Sequence, residues 1–447
     1  MDGIEKILGI VSSYVWGPPL LILLFGTHLF LTFRLRFIQK YTWLAIKLSF
    51  SRTKEGTGDV SHFGALMTAL AATVGTGNIV GVATAVAAGG PGAVLWMWLT
   101  GVFGIATKYS EALLSVKYRI RNSEGQMSGG PMYVIERGMN NKTLAVLFAV
   151  FTAIAAFGIG NMVQANSISH MVRTTFNVSP WISGSVMTVL TAIVMLGGIK
   201  SIAKACEKLV PFMAVFYIVG CLIMLGLKID TLKDTIVLIF QSAFTGQAAV
   251  GGFIGAQIKD AMRYGISRGL FSNESGLGSA PIVASAAQTK NPVRQALVSS
   301  TGTFWDTVVI CLLTGLVIVN TGEWVNGYKG VELTKATFAA FHFLGPCILT
   351  VGLLTFVFST ILGWGYYGEK AVEYLFSVKA VMPYRWFWVA AVMVGSVVKI
   401  QAVWDFADIT NALMAIPNLI SLLVLNGVIV SETRKYLWEN RLEDSEE

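Results

Sequence analysis

Two long apolar stretches of this sequence carry glycine and polar side chains near their middle. These positions are Gly75, Thr76, Gly77 and Asn78 in the first stretch, and Thr245, Gly246 and Gln247 in the second. Glycine weakens a helix by about 1 kcal/mol relative to alanine, and Asn and Gln side chains require hydrogen-bond partners. We therefore predict that each stretch is a helix interrupted at these positions.

An interrupted helix exposes main-chain groups that can bind charged ligands. The N–H groups that begin its second half carry partial positive charge and suit a carboxylate, whereas the carbonyl groups that end its first half suit a cation or an ammonium group. Gly75 and Gly77 let a ligand approach the main chain because they lack a Cβ atom. One such helix can hold both ends of a zwitterionic amino acid. Close helix packing at the glycines is the alternative, but it does not account for the polar residues beside them.

Neutral oxygen atoms are the expected ligands for a cation, since carboxylates are few in the apolar stretches. Ser359 and Thr360 are adjacent in an apolar run, and their hydroxyls either supply two oxygens to Na⁺ or bond to their own helix. The residues alone favour the second reading. Asn161 and Gln164 are three residues apart and share a helix face, where they either line a pocket or hold helices together.

Charged residues inside the apolar runs are rare. Asp306 lies about ten residues into one run, where a charge costs on the order of 2.5–3.5 kcal/mol on insertion scales, so a functional role is expected. Lys108 and Glu111 stand near the end of another run and are expected to be structural. The sequence shows neither a chain of carboxylates or histidines, as a proton relay would need, nor a catalytic triad or metal-ligand spacing. We therefore expect no enzyme.

The composition identifies the setting of these residues. Of 447 residues, 54% are hydrophobic and 13% are charged, against about 25% charged in soluble proteins. This excludes a soluble enzyme and a disordered chain, and predicts an all-α integral membrane protein. A spanning helix needs about 20 apolar residues. Eleven candidate runs cover residues 14–33, 63–88, 92–117, 144–170, 181–198, 209–227, 236–258, 296–320, 346–368, 386–400 and 404–430.

The basic residues predict the orientation of the chain. With the N-terminus outside and the C-terminus in the cytoplasm, 25 Lys and Arg residues fall in inside segments and seven in outside segments. Lys and Arg concentrate in cytoplasmic loops, so the excess charge of +8 is a topology signal and does not indicate nucleic-acid binding. Residues 36–60 and 262–294 are then cytoplasmic and mix bulky apolar with basic residues, as helices at the membrane surface do.

A pair of interrupted helices in corresponding positions is typical of transporters built from inverted repeats. Residues 62–228 hold five runs that begin with one interrupted helix, and residues 236–431 hold five more that begin with the other. Because five is odd, the second set runs in the opposite sense. Residues 1–61 then form an additional span with an amphipathic linker, and residues 432–447 form a cytoplasmic tail.

Three motifs resemble the alanine/glycine:cation symporters, also called sodium:alanine symporters. They are Gly75-Thr-Gly-Asn-Ile-Val-Gly81, Gly129-Gly-Pro-Met-Tyr133 and Phe271-Ser-Asn-Glu-Ser-Gly-Leu-Gly-Ser-Ala-Pro281. The resemblance covers nearly the whole chain and implies the LeuT-type fold of the amino acid–polyamine–organocation superfamily. It further implies that small neutral amino acids, such as alanine and glycine, are carried inward across the cell membrane with Na⁺, or in some cases with H⁺.

The same resemblance implies roles for individual residues. Main-chain carbonyls of Ala71 and Val74, together with the hydroxyls of Ser359 and Thr360, match a sodium site. Thr73, Gly75 and Thr76 face the substrate carboxylate, Gly77 and Asn78 match a Gly-Asn pair just past the break, and Phe244, Thr245, Gly246 and Gln247 close over the substrate. No organic cofactor, nucleic acid or obligate protein partner is expected beside the amino acid, Na⁺ and the lipid bilayer. A proton-coupled transporter of the same fold, and a channel or sensor that only binds an amino acid, are the alternatives.

Overall fold

The computed structural model is almost entirely helical and describes residues 7–8, 10–11, 14–51, 56–244, 257–398 and 401–445. Its first helices are α1 (Pro18–Arg34), α2 (Thr42–Ser49), α3 (His62–Thr73), α4 (Val80–Gly89), α5 (Gly92–Lys117), α6 (Pro131–Met139), α7 (Lys142–Phe176), α8 (Pro180–Met195) and α9 (Gly198–Leu227). The others are α10 (Ile229–Phe244), α11 (Gln257–Asn273), α12 (Pro281–Ala284), α13 (Pro292–Thr321), α14 (Gly330–Ala339), α15 (Leu344–Phe376), α16 (Val381–Val397), α17 (Gln401–Val424) and α18 (Asn426–Thr433).

Shorter elements connect or interrupt these helices. Turns of 3₁₀ helix occupy Ile38–Tyr41, Thr76–Asn78, Glu323–Asn326 and Val378–Ala380, and π-helical turns occupy Ala156–Met162 in α7, Phe304–Cys311 in α13 and Arg434–Trp438 after α18. The strands β1 (Ile120–Arg121) and β2 (Met127–Ser128) form one antiparallel hairpin between α5 and α6. The described residues thus confirm a helical protein.

Six helical segments in the described residues are long and apolar enough to cross a membrane. They are α7, α9, α13, α15, Val378–Val397 and Phe406–Val424. A seventh is counted if Pro18–Arg34 and Ile38–Ser49, which meet at 68°, form one bent span. Helices also stand at the other expected places, but α3, α4 and α8 are shorter. The count of eleven spans therefore stays a prediction, whereas several helices that are able to span a membrane are present, as a multi-pass membrane protein requires.

The first predicted interruption is confirmed. Helix α3 ends at Thr73, and α4 begins at Val80. Between them Val74 is extended (φ −77°, ψ 94°) and Gly75 leaves the helical region altogether (φ −141°, ψ −147°). The chain departs from helical geometry at Gly75. The break therefore coincides with the glycine and polar residues that predicted it.

The second predicted interruption falls in a part of the chain that the structure does not describe. The described part of α10 runs to Phe244 and that of α11 starts at Gln257, and Thr245, Gly246 and Gln247 lie between these described parts. Helix α11 covers the first part of residues 262–294 and packs against α5, while its position at the membrane surface stays a prediction. Gly265 and Gly269 form the contact, since a Cβ atom on them would stand 2.5 Å from the Ala93 carbonyl oxygen and 2.1 Å from Thr100 Oγ1. The basic residues on the opposite face of α11 suggest a membrane-surface helix.

Helix α15 crosses α3 at very short range and so positions the break. A Cβ atom on Gly363 would lie 2.6 Å from the main-chain nitrogen of Ala72. On its other side, α15 meets α7 at Gly160, where a Cβ atom would lie 2.3 Å from Trp364 Cβ. These contacts place one face of α15 between the break and the π-helical turn of α7.

The end of the bundle where α3 begins is held by main-chain pairing of two distant segments. Asp59 and Val60 donate their N–H groups to the carbonyl of Ala286 (2.7 and 3.1 Å), and Gln288 N–H donates to the carbonyl of Val60 (2.8 Å). The Arg119 guanidinium joins the same segments by donating to the carbonyls of Thr57, Ser285 and Ala287 at 2.8–2.9 Å. The start of α3 is therefore fixed to the segment that follows α12.

Candidate functional site

The side chain of Asn78 holds the interrupted helix in its open shape. Asn78 Oδ1 accepts a hydrogen bond from the Gly75 N–H (2.9 Å), and the Asn78 N–H donates to the Gly75 carbonyl (3.3 Å). Asn78 is fully buried, so these bonds replace the helical bonds that are missing at the break. We find Asn78 behind the break, with its amide bonded to protein groups.

Asp306 links this break to two other helices. Its carboxylate accepts from Asn78 Nδ2 (2.5 Å), from the Ser272 hydroxyl near the end of α11 (3.0 Å) and from the Thr307 hydroxyl (2.6 Å). It lies in the π-helical turn of α13, a feature that is frequent at functional sites. The sequence marked Asp306 as functional but did not connect it to Asn78. The feature of the sequence that could have predicted this contact is that Asp306 and Asn78 each place a polar side chain inside an apolar run, where each needs a partner.

A small cavity of about 20 Å³ lies directly against the break. Its lining comes from α3, the broken segment, α7, α11, α15 and α17, and comprises Ala72, Thr73, Gly75, Thr76, Gly77, Ile159, Gln164, Phe271, Glu274, Thr360, Trp364 and Asn411. Six of these residues were predicted as site residues. The structure therefore brings Thr73, Gly75, Thr76, Gly77, Gln164 and Thr360 together at one cavity.

Other predicted residues lie away from this lining. Asn161 donates to the carbonyl of Trp388 (2.9 Å) and so holds α7 against α16. Phe244, at the end of α10, packs its ring against Trp96 with centroids 5.9 Å apart and is more than half exposed. Its role in closing over a ligand depends on residues outside the described part of the chain.

Glu274 is a polar residue of the cavity that sequence reasoning did not assign. Its carboxylate accepts from Trp364 Nε1 (3.0 Å) and from the Ser279 hydroxyl (2.5 Å), and only 4% of the residue is exposed. Its backbone is left-handed (φ 55°), so the chain turns sharply there after α11. Glu274 could have been predicted as a site residue, because it is the acidic residue of the Phe271–Pro281 motif.

Gln164 and Asn411 add unpaired acceptors to the same cavity. Gln164 Nε2 donates to the carbonyl of Ile159 (2.9 Å), which leaves Gln164 Oε1 without a partner, and Asn411 Oδ1 is also without one. Together with the Glu274 carboxylate, these oxygens suit a ligand that donates hydrogen bonds, such as an ammonium group.

The predicted sodium ligands are arranged around the end of α3. Ser359 Oγ lies 3.2 Å from the Ala71 carbonyl oxygen, and Ser359 and Thr360 both bond to the carbonyl of Phe356 in their own helix (2.8 and 3.0 Å). A Cβ atom on Gly75 would lie 2.7 Å from Thr360 Oγ1. Val74 is buried at the end of α3, in extended conformation. The geometry is therefore compatible both with hydroxyls that bind Na⁺ and with hydroxyls that bond only within α15. Of the two hydroxyls, that of Ser359 also lies within hydrogen-bond distance of α3.

A wider cavity adjoins the small one at Thr76. It has a volume of about 470 Å³ and is lined mainly by α4, α7, α14 and α15. Thr76 lines both cavities, so the break forms the floor of the wide cavity and part of the wall of the small one. The lining of the wide cavity includes Val331, Thr334 and Lys335 of α14, and none of its lining residues belongs to the paired segments at the start of α3.

The arrangement resembles known transporters in fold and in sequence. A crystal structure of MhsT in complex with L-phenylalanine shares the fold, with a TM-score of 0.56, 16% identity, and coverage of 85% of this chain and 90% of that chain. This likeness supports the LeuT-type fold.

Sequence relatives match almost end to end. The sodium/alanine symporter AgcS of Methanococcus maripaludis is 52% identical over 442 residues, which cover 96% of this chain and 97% of the relative. An uncharacterized transporter of Haemophilus influenzae is 51% identical, with 97% and 96% coverage. The sequence model described as the sodium:alanine symporter family matches residues 1–447. The chain belongs to the sodium:alanine symporter family.

Proposed function

We propose that this protein takes up small neutral amino acids, alanine and glycine, together with Na⁺ by alternating access. Membership of the sodium:alanine symporter family and the 52% identity to a sodium/alanine symporter support Na⁺ and alanine. The observation that carries the proposal is the small cavity, which joins the opened main chain at Gly75–Gly77 to the buried carboxylate of Glu274. Such a cavity complements both charges of a zwitterion.

The substrate carboxylate is assigned to the main chain beyond the break. The first N–H groups of a helix have no acceptor within that helix, and Thr76 and Gly77 begin the short helical turn there. The amino group of the substrate is assigned to the acceptors on the opposite side, Glu274, Gln164 and Asn411. Asn78 acts from behind by fixing the main-chain geometry, through its bond to Gly75.

The size of the substrate is limited by the walls of the cavity. Phe271, Trp364 and Ile159 are the bulkiest apolar side chains that line the cavity of about 20 Å³ beside the break, and this small volume favours a very small substrate side chain. We therefore assign alanine and glycine as the substrate class, with larger amino acids excluded by these three side chains.

Na⁺ is assigned to the oxygens between α3 and α15, supplied by Ala71, Val74, Ser359 and Thr360. Main-chain carbonyls at the end of a half-helix are typical sodium ligands in transporters with interrupted helices. Bound there, Na⁺ ties α3 to α15 and shapes the cavity for the amino acid. The inward Na⁺ gradient and the membrane potential, about 2.3 kcal/mol per charge per 100 mV, then drive accumulation.

The proposal includes the arrangement of the chain in the cell membrane. Eleven spans, with the N-terminus outside and the C-terminus in the cytoplasm, place the wide cavity at the outer face. Residues 62–228 and 236–431 form the two inverted repeats, after an additional first span. The pairing at the start of α3 then closes the cytoplasmic side.

Uptake of labelled alanine and glycine into proteoliposomes tests the function. Sodium and proton gradients are imposed separately, and choline replaces Na⁺ at constant pH. We expect accumulation that requires inward Na⁺ and persists without a proton gradient. Accumulation driven by protons alone would favour the proton-coupled alternative. The buried carboxylates of Asp306 and Glu274 are the groups that could carry the proton in that case. Binding without accumulation would favour a channel or sensor.

A further inference from the structure

A second small cavity lies next to the substrate cavity, towards the start of α3. It has a volume of about 10 Å³, the space of one water-sized occupant. Its polar lining is Thr73, Lys108, Asn273 and Ser299, and the rest of the lining consists of small apolar residues. Thr73 lines both cavities, so the two are separated by one side chain.

The polar groups of this second cavity are hydrogen-bond donors. Lys108 Nζ and Asn273 Nδ2 have no hydrogen-bond partner, although the two residues are only 3% and 1% exposed. Asn273 Oδ1 accepts from the Ser275 N–H (2.9 Å), which fixes the amide and leaves its NH₂ group unpaired. Ser299 Oγ accepts from Gln295 Nε2 (3.1 Å), so the hydroxyl proton of Ser299 is available for an occupant.

The ammonium group of Lys108 has no short-range counter-charge. Glu111, Glu274 and Asp306 are the carboxylates that act on its charge, yet none of them bonds to Lys108: their bonded oxygens accept from other groups, and Glu111 Oε2 has no partner. Glu111 Oε1, for example, accepts from the N–H groups of Gly276 and Gly278 (3.0 Å each) and from Asn418 Nδ2 (2.6 Å). A buried charge without a bonded partner is costly, and an anion in the cavity would supply that partner.

We propose that Lys108, Asn273, Ser299 and Thr73 form a binding subsite for a small monovalent anion. Two sources have this chemistry: an inorganic halide, and the carboxylate of the amino acid as it leaves the substrate cavity towards the start of α3. The first source is independent of transport, whereas the second rests on the proposed function. Residues that carry an ammonium, an amide and two hydroxyls line one space of this size, and these donors select a compact anion.

Thermal unfolding of the purified full chain tests the halide source. The Tm is measured without amino acid at constant Na⁺, with chloride replaced stepwise by gluconate, which is too large for the cavity. A halide site predicts a Tm that rises with chloride, a loss of that rise in Lys108→Met and a weaker rise in Ser299→Ala. Ser300→Ala is the matched control, because the Ser300 hydroxyl bonds to the Leu297 carbonyl of its own helix (2.7 Å), and it keeps the full rise.

Release of labelled alanine from proteoliposomes tests the carboxylate source. This source predicts a Tm that does not respond to chloride, together with slower net efflux in Ser299→Ala than in Ser300→Ala at unchanged alanine Kd. If Lys108→Met does not fold, the comparison of Ser299→Ala with Ser300→Ala still decides both the Tm experiment and the efflux experiment. An unchanged Tm together with unchanged efflux would mean that the cavity holds only water and would overturn the proposal. Because the Tm arm uses no amino acid, its outcome is separate from that of the proposed function.

Discussion

Ser359 and Thr355 lie on the same helix, α15, but their hydroxyls reach different groups. Ser359 Oγ lies 3.2 Å from the Ala71 carbonyl oxygen of α3, whereas Thr355 Oγ1 bonds within α15 to the carbonyls of Val351 and Gly352 (2.7 and 3.2 Å). If Ser359 is a sodium ligand, Ser359→Ala removes one oxygen from the ion. A lost bond to a charged group costs about 1.5–3 kcal/mol, so we expect the Na⁺ concentration for half-maximal uptake to rise by about tenfold or more.

Thr355→Ala is the control for this variant and should leave the sodium requirement unchanged. The measurement is the initial rate of alanine uptake as Na⁺ is varied against choline. An unaltered sodium curve in Ser359→Ala, or equal shifts in both variants, would contradict the sodium assignment.

Glu274 is expected to bind the amino group of the substrate, so its charge should matter more than its hydrogen bonds. Glu274→Gln keeps the shape of the side chain and removes the negative charge. We expect alanine binding to weaken by roughly tenfold or more, because a charge-assisted bond becomes a neutral one. The measurement is alanine Kd by calorimetry, with the Na⁺-dependent rise in Tm as evidence that the sodium site is intact.

Ser279→Ala provides the comparison, since it removes one hydrogen bond to Glu274 and leaves the carboxylate in place. Its alanine Kd should change much less than that of Glu274→Gln. A Glu274→Gln protein that binds alanine as tightly as the unmodified chain would remove Glu274 from the substrate site.

At the scale of elements, the pairing of residues 57–60 with residues 286–288 fixes the start of α3. Arg119 donates to carbonyls of both segments, so Arg119→Ala should let them separate more often. We expect faster hydrogen exchange at the amides of Asp59, Val60 and Gln288, whose N–H groups form the pairing. Hydrogen exchange followed by mass spectrometry measures this effect.

Arg121→Ala is the control for the Arg119 variant. Arg121 lies two residues further along, on β1, and is exposed, so its replacement should leave exchange at these amides unchanged. Equal exchange in the unmodified and Arg119→Ala proteins would show that Arg119 does not hold the two segments together.

The interruption of the first broken helix could be predicted from its sequence because the cause is local. Gly75 and the polar residues beside it disfavour a continuous apolar helix, and the structure breaks there. The packing of α11 against α5 could not be predicted in this way. Its buried face consists of small residues such as Gly265 and Gly269, which become meaningful only when α5 lies against them.

The same distinction applies to the site. Main-chain groups at a break follow from local sequence, so Gly75, Thr76 and Gly77 could be predicted from it, whereas Thr73 was predicted from the family resemblance. Glu274 and Asp306 acquire their partners through tertiary contacts with α15 and with the break. Those contacts join residues 90 and 228 positions apart in the chain, and no local pattern encodes them.

At the scale of the whole molecule, the C-terminal tail is tied to the start of α13. Asn291 Nδ2 donates to the carbonyls of Leu442 and Asp444 (2.9 Å each), and the Arg294 guanidinium lies 2.6 Å from Glu443 Oε1. The hydrogen bond from Arg294 holds the pKa of Glu443 below its ordinary value. The tail therefore lies on the same end of the bundle as the pairing at the start of α3.

The asymmetry of basic residues predicts which side of the membrane that end faces. With 25 Lys and Arg residues on one side and seven on the other, the tail should be cytoplasmic and the loop before α14 should be external. Ser445 and Lys329 are exposed, so Ser445→Cys and Lys329→Cys each offer one accessible thiol. The native Cys206, Cys221 and Cys311 are buried and Cys347 is partly buried.

A membrane-impermeant thiol reagent applied to intact cells should label Lys329→Cys and spare Ser445→Cys, and inverted membrane vesicles should reverse that pattern. The chain without an added cysteine gives the background from Cys347. Labelling of Ser445→Cys from outside would place the tail and the paired segments at the outer face. The wide cavity would then open to the cytoplasm, and the direction of coupling proposed for this transporter would have to be reversed.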